Sequence, residues 1–291
     1  MHAITVTVNG QPPAVVSTGT RISDLLPSVN GDGFPVLGAI ANNMVLPLFM
    51  PLVADAALAP LTIQNPHGWD IYRTSLCFLL AKTVHELYPG LECRVRNSVG
   101  AGLYCTVQWP DLSPAALDNH VKRLKTAMLE TVRQDLAISP VTVSYEAATR
   151  LFSESGQTDK LHLLAHRNPP IVCLAQCGSF FELSQEPLVP RTGLLELFDL
   201  IPHSSGFVLN VPTSSHPREL PPLPPYEHLF TVYQEHITWG KIVGITTVGE
   251  LNQAVLEKRA DDFVHTVEAL HDKKLARIAD AVTQRASFLS C

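Results

Sequence analysis

Apolar and polar residues alternate through ITVTVNGQPPAVV around an Asn9-Gly10 pair, a pattern that predicts a β-hairpin. Thr20 is then expected to cap a short helix, RISDLL, and FPVLGAIANNMVLPL reads as further strand with Asn42-Asn43 as its turn. Strand, strand, helix and strand, with more β to come, in roughly 65 residues fit a small β-grasp domain, closed by HGWDIY from His67 to Tyr72. The period then changes. In SLCFLLAKTVHELYPG, Leu76, Leu79, Leu80, Val84, Leu87 and Tyr88 recur at helical spacing and Pro89-Gly90 ends the run.

Two strand-like runs follow, ECRVRN and GLYCTVQW, joined by the glycines of SVGAG. Ser113 as N-cap and Pro114 at the first position open a helix, PAALDNHVKRLKTAMLETVRQDL. A strand SPVTVSY, a helix from Glu146, and strands PPIVCLAQ, SFFELS and GFVLNV run on to Val211. The proline-rich PTSSHPRELPPLPPYEH reads as a surface connection, and LFTVYQEHITWGKIVG fits either a strand or a helix. Beyond it Leu251, Val255, Phe263, Val267, Leu270, Leu275 and Ile278 keep a 3.6-residue period, in a run long enough to require a break near Arg259 to Asp262. The expected class is α+β, in four regions: 1–66, 67–212, 213–245 and a helical segment 246–291.

Composition narrows the function. Of 291 residues, 46% are hydrophobic and 16% charged, which is material for packed cores and not for a disordered chain. The formal net charge of −6 argues against a surface devoted to nucleic acid, though a local basic patch is compatible with it. No charged leader precedes an apolar run, and the most apolar window, Met44 to Leu61, is broken by prolines and Asp55, so neither a signal peptide nor a membrane span is expected. Cys77, Cys93, Cys105, Cys173, Cys177 and Cys291 include no CxxC pair, so reduced thiols in a cytoplasmic protein are expected.

Several motifs together carry a resemblance. SLCFLLAKTVHELYPG, SVGAGLYC, EAATRLFSESGQTDKLHLL, EPLVPRTGLLELFDL and VGELNQAVLEKRADDFVHTVEALHDKKLARIADAV resemble, in this order, the front part of uridine-kinase-like nucleoside kinases. That front part is a TGS β-grasp domain followed by a domain similar to the editing domains of threonyl- and alanyl-tRNA synthetases. The resemblance implies an accessory, non-catalytic chain that binds tRNA, another RNA, or a nucleoside or nucleotide. ATP and Mg²⁺ would enter only through a kinase domain on a partner chain. In such relatives the EALH helix leads into a phosphate-binding loop, but no GxxxxGK[ST] occurs here, and the only Gly-Lys pair, Gly240-Lys241, is followed by Ile242. No catalytic residue is therefore assigned.

Threonyl-tRNA synthetase editing domains carry ligand-type residues as HxxxH on the first helix and Cys-xxx-His before a PxTG turn. The resemblance maps these onto Thr74, Phe78, Ser184 and Leu188. Phenylalanine and leucine offer no lone pair, so no metal is expected there. A trans-editing aminoacyl-tRNA hydrolase with an altered site and a stand-alone RNA-binding module are the alternatives. By position the editing-like cleft is expected to include Arg73, Thr74, Tyr104, Lys160, Arg191 and Thr192, whose cations suit phosphate or carboxylate.

Other clusters read more simply as structure. His162, His166, Cys173 and Cys177 offer a Cys₂His₂ set, but CxxxC on a strand spans about 13 Å. His265 and His271 flank Glu268 on an amphipathic helix, and Asp261-Asp262 suits a helix start. Lys122, Arg123 and Lys125 form a basic stripe or a solvated face.

Overall fold

A computed structural model describes residues 2–9, 11–165, 169–184, 186–223, 238, 240, 244–245 and 248–286. The chain forms two compact units, 1–157 with 169–224, and 158–168 with 225–291. The fold is α+β.

The first unit opens with β1 (Ala3–Val8), β2 (Ala14–Ser17), β3 (Gly38–Ala41), β4 (Met44–Leu46) and β5 (Ala56–Leu61), in the sheet order β2-β1-β5-β3-β4. Asn42 and Asn43 both take positive φ, 48° and 69°, giving the β3–β4 hairpin the two-residue turn its sequence predicts. Gly10, half of the Asn9-Gly10 signal, lies outside the described residues; Ala3 to Val6 of β1 pair with Ser17 to Ala14 of β2 in antiparallel register. The helix expected over RISDLL is one 3-10 turn, Ile22–Asp24. It is preceded by Arg21, while the Thr20 hydroxyl donates to Ser17 O at 2.8 Å instead of capping. Ile4, Val6, Ile22, Leu26, Val36, Leu52 and Leu58 are buried together as this sheet's core.

β5 is the further strand expected within the first 65 residues, though its alanines and Pro60, poor strand formers, leave its bounds unmarked. It nevertheless lies between β1 and β3, parallel to the first and antiparallel to the second.

HGWDIY does not close the β-grasp sheet. It is the first two turns of α1 (Pro66–Leu87), with Pro66 at the start as the helix N-terminus tolerates. The start was hidden because this half of the helix is buried on several faces and shows no single apolar stripe; Ile71, Tyr72, Ser75, Leu76, Phe78, Leu79, Leu80, Lys82, Thr83 and Val84 are all buried.

β6 (Cys93–Val99) and β7 (Gly102–Val107) follow, then α2 (Pro114–Gln134), β8 (Ser139–Ser144) and α3 (Tyr145–Glu154). α2 begins at Pro114 as expected, although Ser113 makes no side-chain cap bond. Ser144 does cap α3, accepting from Ala147 N at 3.2 Å. β9 (Ile171–Cys177) and β10 (Phe180–Leu183) join β8 as a sheet ordered β10-β9-β8. β11 (Asp199–His203) and β12 (Gly206–Asn210) complete a second antiparallel sheet, β11-β12-β7-β6. β11 carries Pro202, which hides its strand pattern in the sequence; it lies at a sheet edge, where a missing N–H is tolerated. A large shared core runs from Leu37 and Leu61 through α1 and α2 to Val189, Leu195 and Leu209.

In the second unit, α4 (Thr158–Ala165), α5 (Val248–Leu256) and α6 (Ala260–Ala286) are helical. The break between the last two falls at Glu257 to Arg259, with Lys258 at φ 59°. Most of LFTVYQEHITWGKIVG lies outside the described residues. No helix among the described residues is long and apolar enough to cross a membrane.

Gly68 sits where α1 crosses the end of β5, and a Cβ there would meet Thr62 O at 2.0 Å. Gly68→Ala is expected to cost about 1–3 kcal/mol through forced backbone movement. Gly31→Ala, with nothing within 4 Å, should stay within about 0.5 kcal/mol. Urea denaturation midpoints of the two variants would check the difference.

Candidate functional site

α1 is the organising element of the site. Ser75 Oγ, fully buried, donates to Ile71 O at 2.7 Å and accepts from Val189 N at 2.9 Å. One turn earlier, Tyr72 Oη accepts from Leu197 N at 2.9 Å and donates to Leu197 O at 3.1 Å. Burial pushes the Tyr72 phenol well above its ordinary range, so it stays protonated and keeps both bonds. These hydroxyls tie Val189 and Leu197 to α1, in the stretch that follows Glu186 and Pro187, which line one cavity with Thr74.

The result is two adjoining cavities that share Val45, Glu186 and Pro187. The larger, about 430 Å³, is mainly apolar, walled by Val45, Phe49 and Met50 among others on one side and by β8, β9, Ser184 and Leu188 on the other. The smaller, about 340 Å³, is charged and lined by His67, Asp70, Arg73, Thr74 and Glu186 with Val45, Ile71 and Pro187. Arg73 lies 4.4 Å above the Trp69 ring and its Nη2 is 3.4 Å from Asp70 Oδ1.

Of the six residues expected in the cleft, the structure brings Arg73 and Thr74 together in this charged cavity. Tyr104 is fully buried on β7, with its hydroxyl 3.5 Å from Ser205 Oγ. Lys160 lies on α4 in the second unit, 2.9 Å from Asp159. Arg191 pairs with Asp135, and Asp135 Oδ1 also accepts from Gly193 N at 2.9 Å. A Cβ at Gly193 would fall 2.2 Å from that same oxygen, so a side chain there would displace the Asp135 carboxylate from its bond to Gly193 N. The buried Thr192 hydroxyl donates to Thr131 O at 2.8 Å and accepts from Leu136 N at 2.9 Å. Thr192 and Arg191 thereby hold the PRTG turn to the end of α2.

The four positions matched to editing-domain ligands also separate. Thr74 faces the charged cavity; Ser184 and Leu188 line the apolar one. Phe78 is buried edge-on against Phe180, ring centroids 5.5 Å apart. Among the described residues, no three His, Cys, Asp or Glu side chains form a metal-binding group. Cys173 and Cys177 lie on the single strand β9, exposed and buried respectively, while His162 is on α4 and His166 lies outside the described residues. His265 Nδ1 is 3.7 Å from Glu268 on the exposed face of α6. The α2 stripe is largely committed: Lys125 reaches Asp199 at 2.8 Å and Arg123 covers the Tyr88 ring at 5.4 Å.

The sequence gives no sign of Glu186 or Val45 at the site, nor of an ion pair whose lysine is buried and whose glutamate is exposed. Lys82 follows Thr74 and Phe78 at i+4 spacing on α1 and is buried, its side chain 5% exposed, with both Glu86 carboxylate oxygens at 2.6 Å. A lysine inside an otherwise apolar helical run, four residues before a glutamate, signals a pair but not which member is buried.

The thiols divide in the same way. Burial, then the neighbouring Cys93, pushes Cys77 up to about 12. A hydrogen bond with Cys93 and then burial push Cys105 well up, and burial raises Cys177. At pH 8 iodoacetamide should label the exposed Cys173 at least about tenfold faster than Cys77, Cys105 or Cys177, since only thiolate reacts; peptide mass mapping would check this. For the ion pair, Glu86→Gln strands a buried ammonium and should cost about 1–2 kcal/mol, discounted for the exposure of Glu86. Lys82→Met, which removes the buried charge and keeps the volume, should stay within about 1 kcal/mol, as read by denaturant titration.

No protein-family profile matches the chain. It is similar to curated threonine–tRNA ligases. It is 28% identical over 160 residues to that of Syntrophotalea carbinolica, covering 55% of this chain and 25% of the ligase. With the Geobacillus kaustophilus ligase it shares 29% over 192 residues, 65% of this chain and 29% of the ligase. For Coxiella burnetii the figures are 28% over 170 residues, 57% and 25%. The chain thus spans between 25% and 29% of the length of these relatives, and the nucleoside-kinase side of the resemblance draws no support from them. Over more than half its length the chain is similar to part of these ligases.

Proposed function

We propose that the chain is a tRNA-recognition module of the editing type, in which residues 1–66 form a TGS-like region and 67–212 an editing-like region. The acceptor end of a tRNA lies in the joined cavities between Val45, Phe49 and Met50 on one side and β8–β9 on the other. The observation that carries this reading is the pairing of an apolar chamber of about 430 Å³ with a charged one of about 340 Å³, walled by both regions. A flat base suits the first chamber and the sugar end the second. Similarity to threonine–tRNA ligases supports RNA as the ligand.

The module binds without ion-assisted hydrolysis. Thr74, Phe78, Ser184 and Leu188 supply neither imidazole nor thiolate at the positions where the resemblance calls for ligands. With a net charge of −6 and several cations already paired, few phosphates are contacted and affinity is modest. The accessory front half of a nucleoside kinase ranks second, resting on the ordered motifs of the resemblance, LVPRTG and EALHDKKLARIADAV above all.

The test is fluorescence anisotropy of the full chain against tRNA and an acceptor minihelix from 50 to 200 mM salt. Binding should weaken with a log–log slope of about −2 to −3, as for roughly three phosphate contacts. Arg73→Ala should weaken it several-fold, and removal of the single-stranded 3′ end should abolish it. No binding at 50 mM salt, or binding indifferent to the 3′ end, contradicts the reading. Stoichiometric zinc together with deacylation of mischarged tRNA would favour a hydrolase instead.

A further inference from the structure

After β12 the chain reads Arg218-Glu219-Leu220-Pro221-Pro222-Leu223, and the sequence continues with Pro224-Pro225. Leu220, Pro221 and Leu223 each precede a proline, which biases them away from helix and toward extended, polyproline-II backbone. In the structure Pro217 and Arg218 turn the chain. Leu220 to Leu223 then belong to no helix, strand or turn and make no backbone–backbone hydrogen bond among the described residues. Three contacts hold the stretch against the first unit: Trp69 Nε1 donates to Pro212 O at 2.7 Å, Asn210 Nδ2 to Pro221 O at 2.9 Å and Arg218 Nη2 to Asp32 O at 3.0 Å. Arg218 also lies 4.7 Å above the Phe34 ring, but its ion pairs among the described residues are none. Arg218, Glu219 and Pro222 are exposed, and Leu220, Pro221 and Leu223 are half-buried.

We infer that Arg218 to Leu223 is a docking segment for a partner protein whose groove is lined by aromatic rings and ends in an acidic pocket. A polyproline-II chain repeats every three residues, so Leu220-Pro221 fills one slot between rings and Leu223 opens the next. Arg218 supplies the charge that fixes direction along the groove, and a carboxylate of the partner gives it the ion pair this chain withholds. Its present partners, one surface carbonyl and a ring face, exchange readily for that carboxylate. Glu219 and Pro222, three residues apart, share the side of the repeat that stays out of the groove. Being held at three points before docking, the stretch loses less conformational freedom on binding. The inference is independent of the acceptor-end reading.

The experiment titrates the full chain, and separately a peptide of residues 216–225, into an isotope-labelled SH3 domain that takes the order Arg-x-x-Pro-x-x-Pro. Saturable amide shifts confined to the aromatic groove are expected with both. Arg218→Glu should weaken binding at least about tenfold, because it sets like charges together in the acidic pocket. Pro221→Ala should weaken it about fivefold, as for one anchor of an interface. Glu219→Ala should leave it unchanged. The same substitutions in the peptide should give the same ratios, which separates a lost contact from a lost fold. Binding by the peptide but not by the full chain overturns the inference, since the fold then withholds the segment. Binding by neither overturns it at the level of the motif, and affinity indifferent to both Arg218→Glu and Pro221→Ala overturns the assignment to this stretch.

Discussion

A helix enclosed by protein on several faces must find partners for every hydroxyl it carries inward, and α1 meets that demand from far along the chain. Ser75 and Tyr72 bond backbone groups of Val189 and Leu197, more than a hundred residues later. Left unsatisfied, each buried group would cost about 1–3 kcal/mol. The segment from Pro187 to Leu197 is thus tied to α1, and the wall that carries Glu186 follows from it.

The same tie explains what the site has and lacks. A helix stripe of Thr74, Phe78 and Lys82 runs along α1, but its three members do different work: one faces a cavity, one packs on Phe180, and one is neutralised by Glu86. Chemistry that needs two ligands on consecutive turns has no counterpart here. The recognition proposed above would not need it; it would ask for shape and a charged wall, which the joined cavities offer.

Charge is used sparingly. Arg191, Arg73 and Lys125 each have a carboxylate partner and Arg123 lies over an aromatic face, so basic side chains that look available in the sequence are mostly occupied in the fold. A residue's type reveals its capacity for an interaction; only its neighbours reveal whether that capacity is spent.

Local signals were read correctly where local physics decides. The Asn42-Asn43 turn, Pro114 at the start of α2 and the break between α5 and α6 depend on φ preferences and spacing that any few residues display. Prolines hid the bounds of β5 and the pattern of β11, because a strand's tolerance for a missing N–H depends on its place in the sheet. Arg73 and Thr74 were legible as cleft residues, whereas Glu186 and Val45 were not, for nothing in their flanking residues states what they will face. By itself the chain's order of residues determined its elements, its α+β class and its lack of imidazole and thiolate at four positions. Which side chains share a cavity was decided by tertiary structure alone, because Val45, Thr74 and Glu186 meet only after buried hydroxyls on α1 have claimed their distant backbone partners.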